Sequence, residues 1–303
     1  GTISSDLGAN LTLSSAIAAN ANALTKTGDG TLVLGASSTR SGTTAVSEGS
    51  LLLNHVSAAG TGNITVATDA TLHSAHNAGG QNFAANVLLN GGSFVHNPGA
   101  NVQLNFAGGK SIMVGASGGT IEVSPGAGAS SKLLLNAGQL LSDPGSTLTK
   151  TGIGVLQLSG ANTGYLGTSV VVDAGTLEFQ NVDSLGTGTA SILMNGGDFV
   201  TSSINVRHNF ILNGGMISGN GAGIGDYQGT IQLNSPSFAG VRLFQNLGAA
   251  SSVRISGEIV ANERLTVVGP TAGTGRLLVS GDNPDWDGAF QANPNTFPLA
   301  TLG

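Results

Sequence analysis

The chain has 303 residues, only 9% of them charged, and a net charge of −6. Without Cys it forms neither a disulfide framework nor a thiolate metal site. No run of Lys or Arg is present to neutralise phosphates, which argues against nucleic acid. No apolar stretch reaches the ~20 residues of a membrane helix, which argues against membrane insertion by this segment.

Glycine is frequent, at 49 residues, and aromatics are scarce at 4%. Sparse charge with abundant Gly could mark disorder, but disordered chains also lack aliphatics. Here Leu, Ile and Val recur from end to end. In chain order the strand signals are Thr31-Leu-Val-Leu34, Leu51-Leu-Leu53, Asn63-Ile-Thr-Val66, Val87-Leu-Leu89, Thr120-Ile-Glu-Val123, Lys132-Leu-Leu-Leu135, Val170-Val-Val172, Ile192-Leu-Met194 and Arg276-Leu-Leu-Val279. Clusters of Gly, Asn, Asp and Ser between them supply turns. No window of about 12 residues has a helical period, and each Gly inside a helix would cost about 1 kcal/mol. The chain reads as all-β.

Repeated phrases set the architecture. Leu24-Thr-Lys-Thr-Gly-Asp-Gly-Thr-Leu-Val-Leu34 returns as Leu148-Thr-Lys-Thr-Gly-Ile-Gly-Val-Leu-Gln-Leu158, 124 positions later. A thinner echo, Gly273-Thr-Gly-Arg-Leu-Leu-Val-Ser-Gly281, lines up with Gly152 to Gly160. Such self-similarity marks stacked units, none of which buries its apolar face alone. Shorter Asn-Gly-type corners place Asn at positions 90, 136, 195 and 213. Their gaps of 46, 59 and 18 fit two, three and one turns of about 18 to 23 residues. Each super-repeat then spans about six turns.

A hairpin-built sandwich or barrel is the alternative, since Asn-Gly also closes hairpins. Recurrence at about 20 residues, with strands aliphatic at consecutive positions, favours a coil that returns to the same corner. The expectation is one continuous parallel β-helix over 1–303, of roughly 14 coils. Its super-repeat copies cover approximately 24–147, 148–270 and 271–303, the third truncated. Asn side chains at stacked corners are expected to pair amide to amide. The start at Gly and the truncated third copy suggest a segment of a longer protein.

The second copy carries Leu148 to Leu158, then Ser159-Gly-Ala-Asn-Thr163, Tyr165-Leu-Gly167 and Val172-Asp-Ala-Gly-Thr-Leu177. This pattern resembles the passenger-associated β-strand repeat of bacterial autotransporters. The first copy departs in its middle, at Ala36-Ser-Ser-Thr-Arg40, and the third keeps Ser280-Gly-Asp-Asn283 and Trp286-Asp-Gly288. The resemblance implies a right-handed β-helix exported across the outer membrane, often ahead of a C-terminal translocating barrel. It implies no particular activity, because the family spans adhesins, matrix components and enzymes.

Few constellations suggest chemistry. Asp282, Asp285 and Asp287 form the one dense acidic cluster and could hold Ca²⁺ through hard oxygens, although the equivalent stretch at Ser159 to Gly167 has no acid. Gly115-Ala-Ser117-Gly-Gly119 matches a nucleophile elbow in letters, but a strand rather than a helix follows it. His73 and His76 have helical ligand spacing in a turn-rich stretch, while His55, His96 and His208 stand alone; all read as surface histidines. A glycan-cleaving β-helix would need paired carboxylates on neighbouring coils, and Asp173 with Asp198 is the least implausible pair. No catalytic, cofactor-binding or metal residue is assigned, and no cofactor.

The expected role is a non-enzymatic, extracellular or cell-surface structural or adhesive module, associated with the bacterial outer membrane. Its expected partners are further copies of itself, or a surface glycan or protein. The rival is a carbohydrate-active enzyme or phage-type spike on the same scaffold.

Overall fold

Aliphatics alternating with Ser, Thr and Asn give each strand one face for the interior and one for solvent. The computed structural model shows the consequence. It describes residues 1–75, 82–99, 101–124, 131–187, 190–201, 204–219 and 223–234. Beyond these it describes 240–243, 245–246, 249–250, 252–260, 265–268, 276–281, 283 and 290–292. Among the described residues every element is a strand, and no helix is long and apolar enough to cross a membrane. The strand signals land on strands: Thr31–Leu34, Lys132–Leu135 and Arg276–Val279 to the residue, the others within one or two positions.

The strands wind as a parallel β-solenoid. Face A stacks 7 strands, from Thr2–Ser4 to Leu140–Ser142. Face B stacks 12, from Asn10–Leu13 to Ile259–Val260, and face C stacks 10, from Asn82–Phe83 to Phe290–Ala292. A fourth sheet of 4 strands, from Asn205–Val206 to Arg276–Val279, follows face C in each later coil, the place face A holds in the earlier ones. The one antiparallel strand pair described is the short hairpin of Gln245–Asn246 with Ala249–Ala250.

Parallel register stacks like on like. Leu32, Leu51, Leu72 and Phe94 form one internal column on face B. On face C, Leu133, Leu156, Leu177, Phe199 and Ile217 form another. All of these side chains are buried, and each contributes on the order of 1.5–3 kcal/mol.

The solenoid makes about 10 turns, not the roughly 14 expected. Turn length explains the difference. Ile192 pairs with Phe210, 18 residues on, but Thr120 pairs with Thr149 and Ile231 with Ile259, 29 and 28 residues on. Segments inserted at the corners lengthen those coils, and in the second of them the insertion carries the short hairpin of Gln245–Asn246 with Ala249–Ala250.

The super-repeat is also not a whole number of turns. Leu24–Thr27 lies on face A, whereas the same phrase in the strand Thr147–Thr151 lies on face B. Five circuits plus one side separate them, in place of six circuits. The Asn corners likewise differ from expectation, because they lie on different faces. Asn90 ends a strand of face A, Asn136 follows one of face C, and Asn195 and Asn213 follow strands of face B. Only the last gap is a whole turn.

Candidate functional site

Each copy of the long phrase folds as two strands joined at a corner, a loop, and two further strands stacked on the first pair. Leu24–Thr27 pairs with Thr44–Val46, and Thr31–Leu34 with Ser50–Leu53. In the second copy Thr147–Thr151 pairs with Ser169–Val172, and Val155–Leu158 with Thr176–Phe179. A unit of about 30 residues thus closes on itself.

Turning the chain at such a corner requires left-handed backbone at Gly28 (φ 75°) and Gly152 (φ 72°). Corner carbonyls then need a donor in a region otherwise lined by aliphatics. Lys26 Nζ supplies it, donating to the carbonyls of Thr27 (2.9 Å), Gly28 (2.6 Å) and, one coil on, Glu48 (3.2 Å). Lys150 Nζ repeats the arrangement on Thr151 (2.7 Å), Gly152 (2.8 Å) and Ala174 (3.1 Å). Both lysines have no solvent exposure, and each stands above a Val in its internal column, Val46 or Val172. Burial lowers both pKa values, Lys150 to about 8, so at neutral pH its three N–H donors meet three acceptors. Each ammonium staples two successive coils.

The loops carry a second internal cap. Asn162 Oδ1 accepts from the Leu140 amide (3.0 Å), and its Nδ2 donates to the carbonyls of Gly160 (3.2 Å) and Ser184 (3.0 Å), spanning three coils. Asn283 does the same in the third copy, accepting from the Ile259 amide (2.6 Å) and donating to the Gly281 carbonyl (2.7 Å). The first copy has Arg40 instead. It is buried and donates to Thr44 Oγ1 and to the carbonyls of Asn22, Thr43 and Ala59, at 2.6–3.0 Å.

On the outside of face B an amide ladder climbs four coils. Asn234 Nδ2 donates to Asn213 Oδ1 (3.0 Å), Asn213 to Asn195 (2.8 Å), and Asn195 to Asp173 Oδ1 (2.8 Å). Amide pairing at stacked corners therefore holds for Asn195 and Asn213. Asn136 instead accepts from Ser159 Oγ (2.9 Å).

Asp173 and Asp198 do not occupy equivalent positions. Asp173 is stacked on Asn195, while Asp198 pairs in register with Thr176 on the next side. Elsewhere Lys132 meets Glu178 at 3.3 Å on the outside of face C, and Asp226 accepts from Arg254 (2.5 Å), Ser256 (2.8 Å) and Gln228 (3.1 Å). These are single carboxylates, each held by neighbouring side chains.

The histidines depart from expectation. His96 and His208 are buried, not on the surface. His96 extends the internal column of Ser74, and His208 packs edge-on against Phe179 at 5.8 Å with Nδ1 on the Ala190 carbonyl (2.9 Å). His73 points outward from face B, and His76 lies outside the described residues. Ser117 is exposed in the turn between the strands Ile112–Val114 and Gly119–Val123, with no helix behind it. Asp282, Asp285 and Asp287 lie outside the described residues. Among the described residues no three of His, Asp or Glu gather as metal ligands would.

The passenger-associated-transport-repeat family matches residues 24–53 and 148–179. No curated protein and no solved structure matches the chain. The matched segments are the two stapled units. The repeated phrase assigns its lysines no role by itself, yet two of only four lysines in the chain fall at one position of it. A cation repeated inside an apolar strand was the available signal.

Proposed function

We propose that this chain, an autotransporter-passenger β-helix repeat protein by its repeats and its solenoid, works as a non-enzymatic stalk at the bacterial outer membrane. The repeat family implies a secreted or cell-surface protein. Its faces of Ser, Thr, Asn and aliphatic side chains serve adhesion or association with further copies. The stapled corner supports the stalk reading most directly, because the lysine shared by both copies ties carbonyls of two successive coils together. Sparse charge lets neighbouring rods approach without strong repulsion.

The test is a screen of the purified chain against soluble polysaccharides, read by reducing-end release. No turnover above buffer is expected. Turnover that Asp173→Asn abolishes would overturn the structural reading and favour a glycan-cleaving enzyme.

A further inference from the structure

The outer side of face B between the strands Thr147–Thr151 and Ile231–Leu233 has an ordered pattern that internal packing does not require. Its central column is Thr149, Val171, Leu193, Ile211 and Gln232, one per coil. Val171, Leu193 and Ile211 are half-buried although they point away from the core. One flank is the column Thr147, Ser169 and Ser191, with Thr147 and Ser169 hydroxyls 2.8 Å apart. The other is the exposed ladder of Asp173, Asn195, Asn213 and Asn234. Within these three columns Asp173 is the sole charge.

We propose that this face is the surface through which the chain associates with a second copy of itself, the two rods lying side by side in the same sense. The inference rests on the self-association reading above and names its location. A two-fold axis parallel to the rods sets the aliphatic column of one copy on that of the other. The same operation keeps each coil at its own height, so that Ser169 faces the partner's Asp173 and Ser191 faces the partner's Asn195. Within the ladder Asn195 uses one N–H and one oxygen lone pair, leaving one donor and one acceptor free for the partner's Ser191. Isologous contacts demand this kind of self-complementarity. A charged or strongly basic partner would find nothing to pair with except Asp173.

The contact is small. Four coil steps at ~4.8 Å and three columns give on the order of 400 Å² per copy, in the range of transient rather than permanent interfaces. Association should therefore be weak and concentration-dependent, and should strengthen when several copies are held together.

Because the chain has no Cys, a single introduced thiol reports the contact. Leu193→Cys treated with a short bismaleimide should yield covalent dimers, whereas Thr65→Cys, exposed on face A, should stay monomeric. In sedimentation Leu193→Asp should weaken association at least about tenfold while leaving the circular-dichroism melt unchanged. If wild type associates and Leu193→Asp associates equally, this face is wrong and self-association stands. If wild type is monomeric at every concentration reached, self-association fails and this inference with it. Protection of the Leu193→Cys thiol by an added polysaccharide, in a chain that stays monomeric, would overturn the proposal in favour of a glycan.

Discussion

The repeat at residues 24–53 closes its loop with a buried arginine, and the repeat at residues 148–179 closes it with a buried asparagine. One unit bends between faces A and B, the other between B and C. Both keep the lysine, the left-handed glycines at 28 and 152, and a valine beneath the lysine. The loop has many solutions: it must satisfy several inward carbonyls, and Arg40 or Asn162 does so with different geometry. The corner has one. Since paired strands are only about 20 residues apart, each unit can close before the next coil is in place, with little loop-closure cost. This suits a chain that folds by adding coils.

The sharpest way to break the likeness is at the stacked glycines. A Cβ at Gly175 would lie 2.3 Å from the Gly152 oxygen and 2.5 Å from that of Gly154, and one at Gly49 would lie 2.5 Å from the Gly28 oxygen. Both residues also have φ near +60° to +71°. Gly49→Ala and Gly175→Ala should each cost about 3 kcal/mol or more in urea unfolding. Gly138→Ala, also left-handed at +69° but with open space around it, should cost only about 1 kcal/mol. Equal losses at Gly138 and Gly175 would show that close stacking of coils is not what selects glycine.

Next in size is the staple. Lys26→Met and Lys150→Met keep the volume of the stem but leave three carbonyls apiece without their donor. Each should cost about 2–3 kcal/mol, and the two losses should agree closely. Hydrogen exchange should show the opening confined to the two coils that each lysine joins. A loss at one site only would mean that the likeness of the two corners is one of shape and not of energetics.

Much of this was legible in the sequence, for physical reasons. Short aliphatic runs bounded by Gly and Asn corners report local backbone geometry, so strands such as Lys132–Leu135 are legible to the residue. What escaped was anything set by the pitch of the whole coil. Asn90 and Asn136 look like equivalent corners, yet they sit on different sides because a strand–corner phrase carries no label for its face. The turn count differs for the same reason: segments inserted at the corners, one of them carrying the hairpin of Gln245–Asn246 with Ala249–Ala250, change the length of a circuit. The staple was half visible. Lys26 and Lys150 occupy inward positions in the alternation, where a cation is anomalous, but only the coordinates show the carbonyls that hold them. His96 and His208 gave no signal at all, since a lone histidine in a polar chain reads as surface.

Those two histidines furnish the smallest test, one in each half of the rod. Burial pushes both below the ordinary 6.5, against a partial upward pull from the Val102 and Ser74 carbonyls on His96, and from the Ala190 carbonyl and Asp183 on His208. The folded chain therefore binds fewer protons than the unfolded chain once the pH falls below 6.5. Their contribution is fully present above that value and is lost as the pH falls toward the lowered folded-state values. The melting temperature should be level from pH 7 to 6.5 as far as these groups are concerned, and should fall toward pH 5. His208→Gln, which keeps a donor for the Ala190 carbonyl, should flatten part of that fall, and the remainder is shared by His96 and the half-buried His73, which burial also lowers. A wild-type melting temperature as high at pH 5 as at pH 7 would mean that both rings reach water, contrary to the packing of His208 against Phe179.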